Sequence, residues 1–270
     1  MKYFALLAAL FAFTSCSSTY FFATLDTTND YVEKVENGDF LFETDSLWIA
    51  YCFKGENAPV QITAFNKTNN PLYIDWSRSA LIIDNMAITY AGEKMNYSEE
   101  WYDSESVAKR NVSVAVSDHV TFIPPQTMVS EIPLYLSSNF EGIDKKSYRN
   151  SHLGNAYSES VRVKRLDFDE SATPLKFRSY LTVYAQPEKP MVFTQDFYLK
   201  SLIRTGGVKP NELPSNMADR GDFFYTIKPA DNSPLYVTLS VIGLAGLGII
   251  GIVYGEPVDQ NYDYVSDDDY

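Results

Sequence analysis

The sequence predicts a mainly β chain: an antiparallel β-sandwich, immunoglobulin-like or related, followed by a C-terminal hydrophobic helix of transmembrane length. Three observations predict it. Short apolar or alternating runs arrive with turn signals roughly every ten residues. Helical periodicity is almost absent between residues 45 and 230. The composition includes 20 Tyr and 17 Phe, with few Ala outside the terminal segments, and aromatic residues favour strands.

Residues 45–53 form the first apolar run, closed by Gly55, Asn57 and Pro59. Residues 60–65 alternate, and 72–76 place Leu72, Ile74 and Trp76 on one face. The cluster 66–71, dense in Asn and ending in Pro71, is a hairpin connection, because Asn tolerates positive φ and Pro delays the next strand. Residues 79–83 and 86–90 suggest a second hairpin turning at Asp84-Asn85. The polar interval 91–111 reads as a long loop or as a short surface helix around 98–109. Residues 112–116 and 120–123 are strand-like, and 128–136 contain Pro133, which requires an edge strand or a bulge. The most loop-like interval is 137–160. Alternating strands follow at 161–168, 176–184 and 191–200, the last with Gln195 interrupting its apolar face, and 223–227 is the final strand. One large sandwich over 45–230 and two smaller ones meeting near 137–160 both fit this pattern.

The chain starts with Lys2, an uninterrupted apolar stretch from Tyr3 to Phe13, and the small pair Thr14-Ser15 before Cys16. This is the layout of a secretory signal peptide over 1–15. Phe13-Thr14-Ser15-Cys16 resembles a bacterial lipobox, with Phe13 where Leu is usual, and Cys-Ser-Ser resembles the start of mature envelope lipoproteins of the Bacteroidota. The resemblance covers about the first eighteen residues. It implies cleavage before Cys16 and acylation of its sulfur. Residues 16–44, polar and Thr-rich with scattered aromatics, read as a lipidated tether followed by a first strand or irregular segment. Ser17, Ser18 and Thr19 provide no acidic surface-export signal, which points the domain toward the periplasm. Asp26-Thr27-Thr28 and Asp45-Ser46-Leu47 resemble the O-glycosylation acceptors of the same exported proteins.

A second apolar segment spans 235–254, twenty residues without a charge and introduced by Pro234. As a helix it would be about 30 Å long, the thickness of a bilayer's hydrocarbon core. Tyr236 and Tyr254 would sit at its two interfaces. The tail 255–270 carries Glu256, Asp259, Asp263 and Asp267 to Asp269 with no Lys or Arg, and reads as a disordered, self-repelling end.

The net charge of −13 argues against nucleic acid as a partner and, by the same reasoning, against anionic lipid headgroups. With only two cysteines in the chain, acylation of Cys16 would leave Cys52 unpaired, so Cys52 is expected as a small buried core residue. His119 and His152 are the only histidines and are expected at the surface. No phosphate loop, nucleophile elbow, zinc-binding helix or paired-Cys ligand set occurs, so no catalytic residue, cofactor or metal is assigned. Asp167, Asp169 and Glu170 form the one carboxylate cluster at a strand end, and Arg220-Gly221-Asp222 spells an adhesion tripeptide that reads as turn chemistry.

These readings point first to a cell-envelope lipoprotein whose sandwich binds or scaffolds another envelope protein. A membrane-complex subunit, in a channel or secretion assembly, held by residues 235–254 comes second. An extracytoplasmic hydrolase using the carboxylate cluster comes third.

Overall fold

The computed structural model describes residues 18–91, 97–103, 106–114 and 119–230. The readings for Cys16, for 1–15, and for 235–254 and 255–270 lie outside these residues. Among the described residues no helix is long and apolar enough to cross a membrane.

The described chain is mainly β. Its strands, in order, are β1 (Thr19–Thr27), β2 (Val32–Lys34), β3 (Phe40–Glu43), β4 (Leu47–Cys52), β5 (Gly55–Glu56), β6 (Pro59–Asn66), β7 (Leu72–Ile83), β8 (Met86–Thr89) and β9 (Tyr97–Asp103). There follow β10 (Ser106–Val114), β11 (Val120–Ile123), β12 (Met128–Asn139), β13 (Arg149–Gly154), β14 (Ser160–Asp167), β15 (Lys176–Tyr184), β16 (Pro190–Thr205) and β17 (Phe223–Lys228). A single short helix, α1 (Ser215–Ala218), is described.

These strands form two sheets. The larger runs β11-β7-β15-β16-β1-β17-β5, with β8 added on β7 and the β13–β14 hairpin added on β16. The smaller runs β2-β3-β4-β6-β12-β10-β9. Pairing is antiparallel except between β17 and β5. The inner faces of the two sheets share one hydrophobic core, a sandwich-like arrangement. At its centre Phe197 of β16 stands 5.1 Å from both the Phe40 and Phe53 rings, and 5.3 Å from Tyr51 and Phe177. A second, smaller core lies on the opposite face of the larger sheet. There Phe22, Val163, Ile203 and Phe223 are covered by Val208 and Leu213 from the segment before α1.

Several elements match the sequence reading closely. β11 and β15 have the expected bounds. β7 and β8 turn at Asp84 (φ 49°) and Asn85 (φ 66°), both left-handed, as a two-residue hairpin of matching twist requires. Pro133 sits where the β12–β6 register shifts between Glu131 and Leu134. Its missing N–H is therefore absorbed by a bulge in a strand that is paired on both sides.

Three intervals differ from expectation. Residues 16–44, expected as a tether followed by a first strand or irregular segment, contain three strands, β1, β2 and β3, and β1 lies between β16 and β17. Both faces of β1 are covered, Phe21 and Ala23 by the main core and Phe22 by the second, so it shows no period-two alternation. The interval 91–111 contributes β9 and β10 rather than a loop or helix. They pair in antiparallel register from Ser106↔Asp103 to Val112↔Tyr97, in an interval whose sequence carries no apolar period to announce a strand. The interval 137–160 holds the end of β12 and all of β13, which pairs with β14 from Arg149↔Arg165 to Gly154↔Ser160. β13 has solvent on one side, and only Leu153 of its residues is buried.

Phe197 is fully buried and touches four rings, so Phe197→Ala removes more contact than any collapse of the surroundings restores. Chemical denaturation should show a loss of about 3–5 kcal/mol with an unchanged fold by circular dichroism.

Candidate functional site

Gln195, the polar residue on the apolar face of β16, is fully buried. Tyr90 Oη donates to Ser179 Oγ at 2.8 Å, Ser179 and Tyr51 Oη are 2.9 Å apart, and Tyr51 Oη donates to Gln195 Oε1 at 2.8 Å. Because Tyr51 spends its proton on Gln195, Ser179 is the donor to Tyr51, and the hydrogen bonds run in one direction from Tyr90 to Gln195. Burial pushes both phenols upward, which keeps them neutral donors. With Tyr51, Tyr90, Ser179 and Gln195 all fully buried, this chain orders the core and is closed to substrate. Ser179→Ala strips Tyr90 of its acceptor and should cost about 1–3 kcal/mol in denaturant unfolding.

The tripeptide Arg220-Gly221-Asp222 is folded into the molecule. Asp222 is fully buried and takes a bidentate pair from Arg220, at 2.8 and 2.7 Å, together with Lys34 Nζ at 2.5 Å. Lys34 also donates to the Leu25 carbonyl at 2.9 Å and lies 5.2 Å from the Phe40 ring centroid. The backbone is equally engaged: Gly221 N donates to Asn37 O, Phe53 N to Gly221 O and Leu25 N to Asp222 O. These bonds tie β1 of one sheet to the β2–β3 turn and the end of β4 in the other. A Cβ on Gly38 (φ 85°) would meet Asp222 Oδ1 at 2.6 Å, and one on Gly221 would collide with Asp39. Asp222 is therefore a structural clamp that an adhesion receptor cannot reach. Asp222→Ala should cost about 3 kcal/mol by thermal or denaturant unfolding, the low end for a broken buried pair, because Lys34 and Arg220 are part-exposed and regain water.

Two members of the carboxylate cluster, Asp167 and Glu170, are in surface ion pairs, and Asp169 precedes the turn Glu170–Ala172 without capping it through its side chain. Arg165 holds Asp167 at 2.7 Å and Lys176 holds Glu170 at 2.6 Å, with all four side chains well exposed. His119 and His152 are exposed as expected. Thr27 of the first glycosylation-like triplet donates its hydroxyl to the Asp196 carbonyl at 2.8 Å, and Ser46 of the second lies 3.3 Å from the Thr44 hydroxyl. Cys52 corrects the expectation of a buried core residue. β4 alternates Leu47, Ile49 and Tyr51 inward, which turns Cys52 to the outer, partly exposed face. Partial burial still pushes its thiol up to about 11, with Asp39 nearby adding to the effect, so it is not an activated nucleophile.

The most distinctive surface feature lies where β1 begins. A cleft of about 340 Å³ is lined by Thr19, Arg162, Val163, Lys164, Arg204, Thr205, Gly206 and Gly207. Beside it, sharing Thr19 and Arg204, lies a smaller hollow of about 160 Å³ that includes Phe140, Lys145, Tyr148 and Lys228. Lys164 is directly opposite Arg204 across the β14–β16 pair, and Arg162 lies two residues along β14 on the same face. Lys164 donates to Asn150 at 2.8 Å. Among the described residues no carboxylate pairs with Arg162, Lys164 or Arg204. The Tyr148 hydroxyl is buried without a hydrogen-bond partner among the described residues, and burial pushes it up to about 12 against the pull of Arg204. Sequence reasoning missed this group, although Val161-Arg162-Val163-Lys164 already placed two cations on one strand face.

No protein-family model, curated protein or solved structure matches this chain.

Proposed function

We propose that this chain is a membrane-anchored lipoprotein of a bacterial cell envelope whose β domain is a non-enzymatic binding or scaffolding module facing the periplasm. In this reading the domain is an immunoglobulin-related sandwich, acylated Cys16 is one anchor, and a helix over 235–254 is the other. The observation that carries it is the pairing of Thr19 with Lys228 across β1 and β17. The strand that follows Cys16 and the strand that precedes residue 235 are antiparallel neighbours, and the ends from which they lead toward the two apolar segments coincide. Two attachments at one end of a domain are compatible with a single bilayer surface, which attachments at opposite ends would not be. The outward side of the larger sheet adds support for binding: Phe122, half-exposed, leads a row of rings with Tyr73 and Tyr184, spaced 5.4 and 5.3 Å.

The test is acylation in a bacterial host. The full chain should incorporate labelled fatty acid and lose residues 1–15, whereas Cys16→Ala, or globomycin treatment of the unmutated protein, should leave a slower-migrating precursor. Identical migration of all forms with no acyl mass on Cys16 would remove the lipid anchor.

A further inference from the structure

We propose that the cleft formed by Arg162, Lys164 and Arg204 is a docking site for the phosphate groups of anionic lipid headgroups, seating this end of the domain on the membrane surface. The inference rests on the anchored reading above and reverses the expectation, drawn from net charge, that such headgroups are avoided. Net charge is a poor guide here because six of the carboxylates lie in the tail 255–270, away in sequence from the strands that build the cleft.

Local charge is of the opposite sign. The two hollows at the start of β1 are lined by five basic side chains, Lys145, Arg162, Lys164, Arg204 and Lys228, and one acidic one, Glu141, which is paired with Lys228. The nearby Asp144 is occupied as the cap of the turn Lys145–Ser147, accepting from Lys146 N. Lys164 and Arg204 face each other as like charges on adjacent strands, a destabilising arrangement that an anion bound between them would relieve. The main-core face of the larger sheet, which carries Leu202, also carries Arg204 two residues on, where Arg204 is opposite Phe21. The opposite face at this position is filled by the second core, so the cations lie on the one side left open. Gly206 and Gly207 contribute backbone alone to the rim.

Chain length chooses a membrane as the source of the phosphate. Thr19 lines both hollows and stands three residues after Cys16, a separation of at most about 11 Å even for fully extended chain. Lys228, lining the smaller hollow, precedes residue 235 by seven residues, at most about 25 Å. An acylated Cys16 therefore holds the cleft within about a Debye length of the headgroups, and basic groups at that distance are attracted to an anionic surface.

The experiment uses the full chain in nanodiscs of phosphatidylcholine alone, or with about 30% phosphatidylglycerol, a composition in the range where basic segments respond to surface charge. Lysine modification is read by mass spectrometry. Lys164 and Lys145 should react at least about fivefold more slowly in the anionic discs, a range expected when several cations engage headgroups. Lys189, at the far end of β16 from Arg204, should react equally in both. Arg162→Glu with Arg204→Glu should abolish the difference at Lys164 while leaving Lys189 and the circular dichroism spectrum unchanged. Equal Lys164 reactivity in the two discs overturns the proposal. So does protection by inorganic phosphate in neutral discs as strong as that by phosphatidylglycerol, which would make the cleft a pocket for a free anion. The acyl mass of Cys16 in the same samples separates the two readings. Protection with unmodified Cys16 keeps the docking site and removes the lipid anchor, and acylated Cys16 with equal reactivity does the reverse.

Discussion

The insertion of β1 between β16 and β17 is the constraint on which the rest of the molecule depends. β1 pairs along its length with residues 197–205 on one side and 223–228 on the other, so the larger sheet is closed by joining the first described strand to the last two. Without it, β17 and β5 would lose their connection to β16, and both cores would lose a wall, since β1 supplies Phe21, Ala23 and Leu25 to one and Phe22 to the other. Such pairing spans nearly two hundred residues of sequence. Its loop-closure entropy has to be met before the contacts reward it, which places this topology among slowly folding ones. The buried Asp222 clamp adds to the same junction, binding Lys34 and Arg220 and accepting Leu25 N at its carbonyl.

This constraint also explains what could be read from the sequence. β15 and β11 were legible to the residue, and β4 and β6 nearly so, because each lies in a sheet with one face in the main core and the other toward solvent, and their burial follows the alternation. β1 was not legible as a central strand because it is buried on both faces, and Thr19-Tyr20-Phe21-Phe22-Ala23 shows an apolar run beside a polar one instead of a period of two. The β9–β10 pair and β13 escaped for the opposite reason. These strands carry no apolar period, and β13 is identified by its register against β14, Asn150 against Lys164, and not by a hydrophobic pattern of its own.

The polar chemistry follows the same division. Gln195 looked like a flaw in the apolar face of β16, yet the donor to its side-chain carbonyl, Tyr51, is 144 residues away, and that hydrogen bond forms only after the two sheets meet. The adhesion tripeptide looked like a surface turn, and the clamp it forms depends on Lys34, brought in by β2. The basic cleft was hidden by an average. A net charge of −13 describes the field far from the molecule, whereas recognition at a surface is governed by charges within about 8–10 Å in physiological salt.

Under the proposed acylation of Cys16, the position of Thr19 limits the kinds of work this domain can do. A lipoprotein with a long polar tether can carry its domain far from its bilayer. Here ordered strand starts three residues after Cys16, so acylation there would hold the β1–β17 end within about 11 Å of the lipid. The far end of β16, at Pro190, would then stand at most about 50 Å from Thr205 along an extended strand. Under that geometry a partner has to approach the fixed domain, through its far end or through the outward row of Phe122, Tyr73 and Tyr184. Rigid, short attachment of that kind would lower the entropy lost when a neighbour in the same membrane binds, and so would favour partners that share the bilayer over those that diffuse freely.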